Sequence, residues 1–67
     1  MVIRREWIVS YEIVNQYEEI TEDSDIRVNE TSKFAAKQRA KLLIDVPQGQ
    51  YLNITQIKPS GASHDHL

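Results

Sequence analysis

Residues 31–44, TSKFAAKQRAKLLI, carry the strongest secondary-structure pattern in the chain and predict a helix. Thr31 or Ser32 can cap its first turn by accepting a hydrogen bond from a backbone amide, and good helix formers follow. An apolar stripe recurs at helical spacing, formed by Ala36, Ala40 and Leu43 and widened by Ala35, Leu42 and Ile44. Because alanine is small, we expect this helix to lie close against a sheet.

Downstream of the helix, Asp45-Val46-Pro47 predicts its end, since proline lacks an amide hydrogen. Pro47-Gln48-Gly49 fits a β-turn with proline second and glycine fourth. Residues 50–58 then predict a strand with Leu52 and Ile54 on its inner face and Tyr51, Asn53 and Thr55 outside. Ile57 breaks this alternation, which predicts a bulge or a change of face near Gln56.

Upstream of the helix, residues 5–14 are rich in β-branched and aromatic side chains and predict a first strand. Its uncharged face, Trp7, Val9, Tyr11 and Ile13, is expected to meet the core, because burying an unpaired Glu12 on the other face would be costly. Trp7 is interpreted first as the largest side chain of the core and alternatively as an interface hot spot.

The segment between the first strand and the helix is acidic and poorly periodic. It predicts a loop of about ten residues at 15–24, longer than most hairpin connections. A short strand at 25–29 follows, paired antiparallel to the first, with Ile26 and Val28 inward and Arg27 outward.

These elements predict an α+β domain of ββαβ order over residues 1–58, with a three-stranded antiparallel or mixed sheet and one packed helix. The third strand could join either edge. Residues 59–67 predict a disordered tail. The outer sheet face would be wet or covered by a second copy, and its apolar side chains make a homodimer plausible: Ile8, Val14, Tyr51 and Ile57.

The charge is unevenly distributed. The 67 residues carry a net charge of −2. Residues 17–30 hold six acids and one base, whereas residues 31–44 hold four bases and no acid. Adjacent segments therefore carry −5 and +4, which predicts two charged surfaces rather than a neutral one.

The composition argues against several classes of protein. There is no cysteine, so disulfides, thiol catalysis and cysteine-ligated metals are excluded and a cytoplasmic location is expected. Residues 1–6 are too polar for a signal peptide, and no apolar run approaches the ~20 residues that span a bilayer. Histidine occurs only in the tail and no glycine-rich phosphate loop is present, so we expect neither an enzyme nor a cofactor.

Two charged sets are candidate binding sites. The acidic segment predicts an anionic surface for a basic partner, formed by Glu18, Glu19, Glu22, Asp23 and Asp25, or else a solvated loop. The helix places Lys33, Lys37 and Lys41 on one stripe beside Phe34, which could contact phosphates of a nucleic acid or only promote solubility.

No metal site is expected. Asp23-Ser24-Asp25 begins like a calcium-binding loop, but Arg27, Val28 and Phe34 occupy positions where that loop needs a ligand, a glycine and a glutamate. His64-Asp65-His66 lacks a third well-placed ligand.

The sequence therefore favours a small non-enzymatic protein-binding module, an inhibitor or regulator that acts through the acidic loop and a sheet edge. Its size and composition are typical of accessory proteins of phages and other mobile elements. A nucleic-acid-binding protein and a structural or assembly subunit are the alternatives. A protein partner is expected, and no membrane.

Overall fold

The computed structural model describes residues 3–60. Its elements follow in the order β1 (Arg5–Val14), β2 (Ile20–Glu30), α1 (Lys33–Leu43) and β3 (Tyr51–Pro59). The α+β class and the ββαβ order are therefore confirmed. Among the helices of the described residues, none has the length and apolar character that crossing a membrane requires.

The strands form one open antiparallel sheet in the order β2-β1-β3. The third strand thus joins the first, which settles the choice that the sequence leaves open. β1, the most apolar strand, is central and has both of its edges paired, so β2 and β3 are the two edge strands.

The core lies where α1 crosses one face of the sheet. Its buried residues are Trp7, Val9, Val28, Ala36 and Ala40, and four isoleucines pack around them: Ile26, Ile44, Ile54 and Ile57. Ala36 and Ala40 have no exposed surface, which shows the close helix-to-sheet approach expected of alanine. Trp7 is 9% exposed, so its interpretation as a core residue is confirmed.

The helix begins and ends within one or two residues of the predicted bounds. Ser32, not Thr31, caps it, and its Oγ accepts a hydrogen bond from the Ala35 amide at 3.1 Å. The predicted apolar stripe is wrong at Leu42 and Leu43, which are 80% and 56% exposed. Ala36, Ala40 and Ile44 recur every four residues and face the sheet. Leu42, two positions after Ala40, therefore points away from the sheet.

The second strand is much longer than predicted. β2 covers residues 20–30 instead of 25–29, and only residues 15–19 connect it to β1. Its pairing with β1 continues as far as Val14 and Ile20, with a bulge at Thr21. Backbone pairing to a central strand outweighs the poor strand propensity of the acidic residues, whose carboxylates stay in water at the edge.

A bulge in β3 explains the irregular spacing of its isoleucines. Ser10 pairs with Gln56 and Tyr11 with Ile54, so Thr55 is the extra residue. The predicted bulge is therefore confirmed within one residue. Ile57 lies against the core together with Ile54, which corrects its placement on the outer face.

The turn before β3 is shifted by one residue from the prediction. The Gln50 amide donates to the Pro47 carbonyl at 3.1 Å, so Pro47 is the first residue of the turn and Gly49 the third. Gly49 has a φ of 84°, a conformation that the third position of such a turn requires and that glycine adopts without strain.

The end of β3 also differs from the predicted tail. Pro59 belongs to the strand, and the Ser60 amide donates to the Glu6 carbonyl at 2.8 Å. The rest of the predicted tail, including His64-Asp65-His66, lies outside the described residues.

Candidate functional site

The predicted acidic loop is mainly an edge strand. Glu22, Asp23 and Asp25 lie on β2 and are exposed; we call these three residues the acidic edge. Their partners in the register on β1 are Ile13, Glu12 and Ser10, respectively. Because cross-strand partners share a face, Glu22 lies on the side of α1, and the two aspartates lie on the opposite side.

The remaining two acids of the predicted site lie in the turn between β1 and β2. Asn15 organises this turn: its side-chain Oδ1 accepts hydrogen bonds from the amides of Tyr17 at 2.8 Å and Glu19 at 3.0 Å. Glu18 has a φ of 65°, which is uncommon for a residue with a side chain. Glu18 and Glu19 are therefore held by a defined turn next to the acidic edge, not by an open loop.

The acidic and basic segments neutralise each other at only one point in the described residues. Arg39 Nε and Nη2 each lie 2.8 Å from Glu30 Oε2, and this is the ion pair between the two segments. The other ion pair of residues 3–60 joins Arg27 to Glu6 at 3.7 Å. None of the five acids of the predicted site forms an ion pair within residues 3–60.

Neutral side chains contact three of these carboxylates instead. The hydroxyl groups of Tyr11 and Tyr51 donate to Glu22 and Glu18, each at 3.3 Å, and the Asn15 amide donates to Glu19 at 3.1 Å. Partial burial and the neighbouring Glu22 carboxylate raise the pKa of Tyr11 above its ordinary 10.0. Partial burial and the Glu18 carboxylate raise the pKa of Tyr51 in the same way. None of these donors carries a positive charge, so the contacts do not neutralise the carboxylates.

We expect Glu22→Gln to lower the pKa of Tyr11, because the substitution removes the carboxylate charge and keeps the burial. Tyr11 holds its proton more tightly in the folded chain, so its stabilising contribution is complete below pH 10.0 and is lost as the pH rises through its folded pKa. Glu22→Gln should reduce the loss of stability that occurs at alkaline pH. Ultraviolet titration of tyrosinate in a background with Tyr17→Phe and Tyr51→Phe leaves Tyr11 as the only tyrosine and measures its pKa directly.

Glu19→Gln is the matched control for this prediction, because Glu19 lies in the same acidic segment and is hydrogen-bonded to Asn15 instead of a tyrosine. It should leave the titration of Tyr11 in place. An unchanged Tyr11 titration in Glu22→Gln would contradict the assigned contact.

The backbone of β2 adds a second property to the acidic edge. Among residues 3–60, β1 is its only neighbour in the sheet, so the other side of this 11-residue strand has no backbone partner in the described part of the chain. The bulge of β2 at Thr21 lies near the start of the strand, so residues 22–30 are regular. At the opposite edge, β3 is interrupted near its middle by the bulge at Thr55 and ends at Pro59, which has no amide hydrogen. The edge suited to an added strand is thus the acidic one.

The basic stripe Lys33, Lys37 and Lys41 is exposed along α1, as predicted. Lys33 and Lys37 line a shallow groove of about 220 Å³ with residues 54–57 of β3. Phe34 is 70% exposed beside them. The lysines form no ion pair within the part of the chain that is described, so the stripe is electrostatically available to an anionic partner.

Trp7 is placed differently from the other predicted partner-binding residues. Its indole nitrogen donates to the Glu30 carbonyl at 3.0 Å in the buried core. The Arg5 guanidinium carbon lies 5.6 Å from its ring centroid and covers it further. Trp7 therefore holds β2 and α1 against β1 and offers little surface to a partner.

Two features of this surface are absent from the sequence analysis. One is the outward position of Leu42. The signal for it is helical spacing, because a residue two positions from Ala40 lies on the opposite side of the helix from Ala36 and Ala40. The other is the Arg39–Glu30 ion pair, for which the sequence carries no local signal because the residues belong to different elements. Residues 3–60 contain no group of three or more acidic, histidine or cysteine side chains that could hold a metal ion.

Comparison of the chain with protein-family models, with curated proteins and with solved structures found no match.

Proposed function

We propose that this protein is a non-enzymatic protein-binding module, an inhibitor or regulator, that captures a basic, extended segment of a partner along β2. One observation carries the proposal: the open edge strand is also the strand that bears Glu22, Asp23 and Asp25, and these carboxylates form no ion pair within residues 3–60. Edge pairing supplies backbone hydrogen bonds, and the carboxylates select for a basic sequence.

The alternation of β2 defines what the partner segment should contain. Glu22 lies on one side of the sheet and Asp23 and Asp25 on the other, so both faces of an added strand would meet a carboxylate. Side chains opposite each other on adjacent strands lie about 4.5–5.5 Å apart at Cβ. Lysine or arginine on either face would thus pair with the acidic edge, and the net negative field would speed association.

The composition supports a cellular location and a biological role for this module. A chain without cysteine is suited to a reducing compartment, so we place the protein in the cytoplasm, as an accessory protein of a phage or another mobile element. The shallow grooves beside α1 do not enclose a ligand in the way that enzyme pockets do, which supports binding over catalysis.

A peptide of alternating lysine and valine tests the proposal as a basic strand probe. We expect it to bind with a strong dependence on salt and to perturb the amide resonances of β2. Glu22→Gln with Asp23→Asn and Asp25→Asn should weaken binding at least about tenfold, the equivalent of ~1.4 kcal/mol. Isothermal calorimetry at two salt concentrations measures this effect.

Asp45→Asn is the control, because it removes an exposed carboxylate outside β2. It should leave the affinity close to that of the parent. If the triple variant binds the peptide as the parent does, or if the perturbed resonances lie outside β2, the proposed capture along β2 is wrong.

Nucleic-acid binding is the second candidate, favoured by the exposed basic stripe beside Phe34. It predicts binding to single-stranded or duplex nucleic acid that weakens with salt and is lost when Lys33, Lys37 and Lys41 are replaced by glutamate. Absence of binding at low salt in a fluorescence anisotropy titration would exclude it.

A further inference from the structure

The side of α1 that faces away from the sheet carries large apolar side chains. Phe34, Gln38 and Leu42 follow one another at intervals of four residues, and we call them the helix ridge. Phe34 is 70% and Leu42 80% exposed. Lys37 and Lys41 run along one side of the ridge and Arg39 along the other, and the helix contains no acid. The ridge is thus an apolar strip between cations.

The sheet has a complementary surface on the side away from α1, which we call the open sheet face. The β1–β2 register places Glu12 beside Asp23 and Ser10 beside Asp25 on it. Apolar side chains share this face: Ile8, Val14, Ile20 and Tyr51 by the alternation and register of their strands. Ile20 and Tyr51 are 55% and 48% exposed. Two bases, Arg27 and Lys58, flank Ile8 toward the other end of this face, and Val14 is buried. The acids of the open sheet face are thus concentrated around Glu12, close to the exposed apolar groups of Ile20 and Tyr51.

These two surfaces point in opposite directions, so they cannot meet within one chain. A symmetric pairing of two ridges is disfavoured, because an antiparallel pair of helices centred on Gln38 would bring Lys37 and Lys41 of one copy beside the same two lysines of the other. A ridge laid on the open sheet face instead places lysines near Glu12, Asp23 and Asp25. The charge pattern therefore favours the sheet of a second copy over its helix.

We propose that the helix ridge of each copy packs on the open sheet face of the next copy. Each sheet is then covered by a helix on both sides, which removes the exposed apolar groups of both surfaces from water. The two surfaces of the contact differ, so the assembly is head-to-tail and grows into an open chain or closes as a ring. The helix ridge has no part in peptide capture along β2, whereas Asp23 and Asp25 belong to both contacts, so a variant of the ridge is the one that separates the two activities.

Sedimentation velocity on nucleic-acid-free protein tests this assembly. We expect the parent to associate reversibly at low salt and to dissociate to single chains at high salt. The helix variant is Lys37→Glu with Lys41→Glu, and the sheet variant is Glu12→Lys with Asp23→Lys. Each should sediment as single chains, because the helix variant sets acids of the ridge against acids of the sheet and the sheet variant sets bases against bases. The sheet variant replaces two neighbouring like charges with two others, so its fold is expected to persist, and circular dichroism checks this.

Mixing the two variants gives the decisive measurement. The acidic ridge of the helix variant complements the basic sheet face of the sheet variant, and their two unaltered surfaces also match, so an equimolar mixture should associate again. Asp45→Asn, outside both surfaces, should behave as the parent. The proposal is overturned if the parent sediments as a single chain at all concentrations, if either variant alone still associates, or if the mixture does not.

The helix variant also separates this proposal from peptide capture, because its β2 is unaltered. As a single chain it should still bind the basic peptide if the edge acts as proposed. Loss of peptide binding there would count against the function proposed for β2, without bearing on assembly.

Discussion

Replacing Trp7 with alanine should leave most molecules unfolded or close to unfolding. Trp7 is the largest residue of the core and its indole N–H satisfies the buried Glu30 carbonyl at 3.0 Å. Substitutions of this kind cost about 3–5 kcal/mol. A chain of this length has a total stability of only roughly 3–10 kcal/mol at the usual values per residue. The Trp7 side chain therefore accounts for a large share of the total free energy of unfolding.

Urea unfolding followed by far-ultraviolet circular dichroism measures this effect without relying on the tryptophan signal. Tyr17→Ala is the matched control, since Tyr17 is an aromatic residue that is 72% exposed, and a change within about 0.5 kcal/mol is expected. Trp7→Phe should fall between the two because it keeps an apolar ring and leaves the Glu30 carbonyl without its donor. Equal stability of Trp7→Ala and Tyr17→Ala would contradict the core assigned here.

Removing the charge of Arg39 should give the second largest loss of stability. The side chain of Glu30 is only 12% exposed, and both Arg39 nitrogens lie 2.8 Å from one of its carboxylate oxygens. Arg39→Met retains an apolar stem and leaves this carboxylate without its cation, at a cost of about 1–3 kcal/mol. Adding Glu30→Gln should restore part of that loss, because the unpaired buried charge is then absent.

Arg27→Met provides the comparison within the same chain. Arg27 and Glu6 are 3.7 Å apart with side chains 66% and 43% exposed, and an ion pair in such solvent contributes at most about 1 kcal/mol. Chemical denaturation of the parent, Arg39→Met, Glu30→Gln and the double variant gives the coupling energy of this pair, and Arg27→Met is measured beside them. A cost of Arg39→Met no larger than that of Arg27→Met would show that the partial burial of Glu30 has no energetic role.

Much of the fold follows from local patterns in the sequence. The bounds of β1 match the predicted 5–14 because alternation and β-branched content coincide there. The helix is found because Ala36 and Ala40 mark its inner face, and Ile57 indicates the bulge because it is out of phase with Ile54. Each of these signals comes from residues within a few positions of one another along the chain.

The extent of β2 is the main structural feature that local patterns do not show. Glu22, Asp23 and Asp25 are poor strand formers, and their conformation is set by Ser10, Glu12 and Ile13 on the partner strand. The sequence therefore places Glu22 and Asp23 in a loop, whereas they lie on a strand. Leu42 is predicted on the inner face because it is apolar, although its position two residues after Ala40 directs it away from the sheet. The proposed functions themselves stay predictions.

The bulge at Thr55 and the proline that ends β3 have a consequence for aggregation. Sheets that join edge to edge without limit need two receptive edges in each molecule. Here β3 is interrupted near its middle and ends in proline, whereas β2 is regular over residues 22–30. Edge pairing can therefore join two molecules once, β2 against β2, into a six-stranded sheet whose outer strands are both β3. The blunted edge of β3 thus favours termination of strand addition after one step and disfavours an extended cross-β fibre of folded copies.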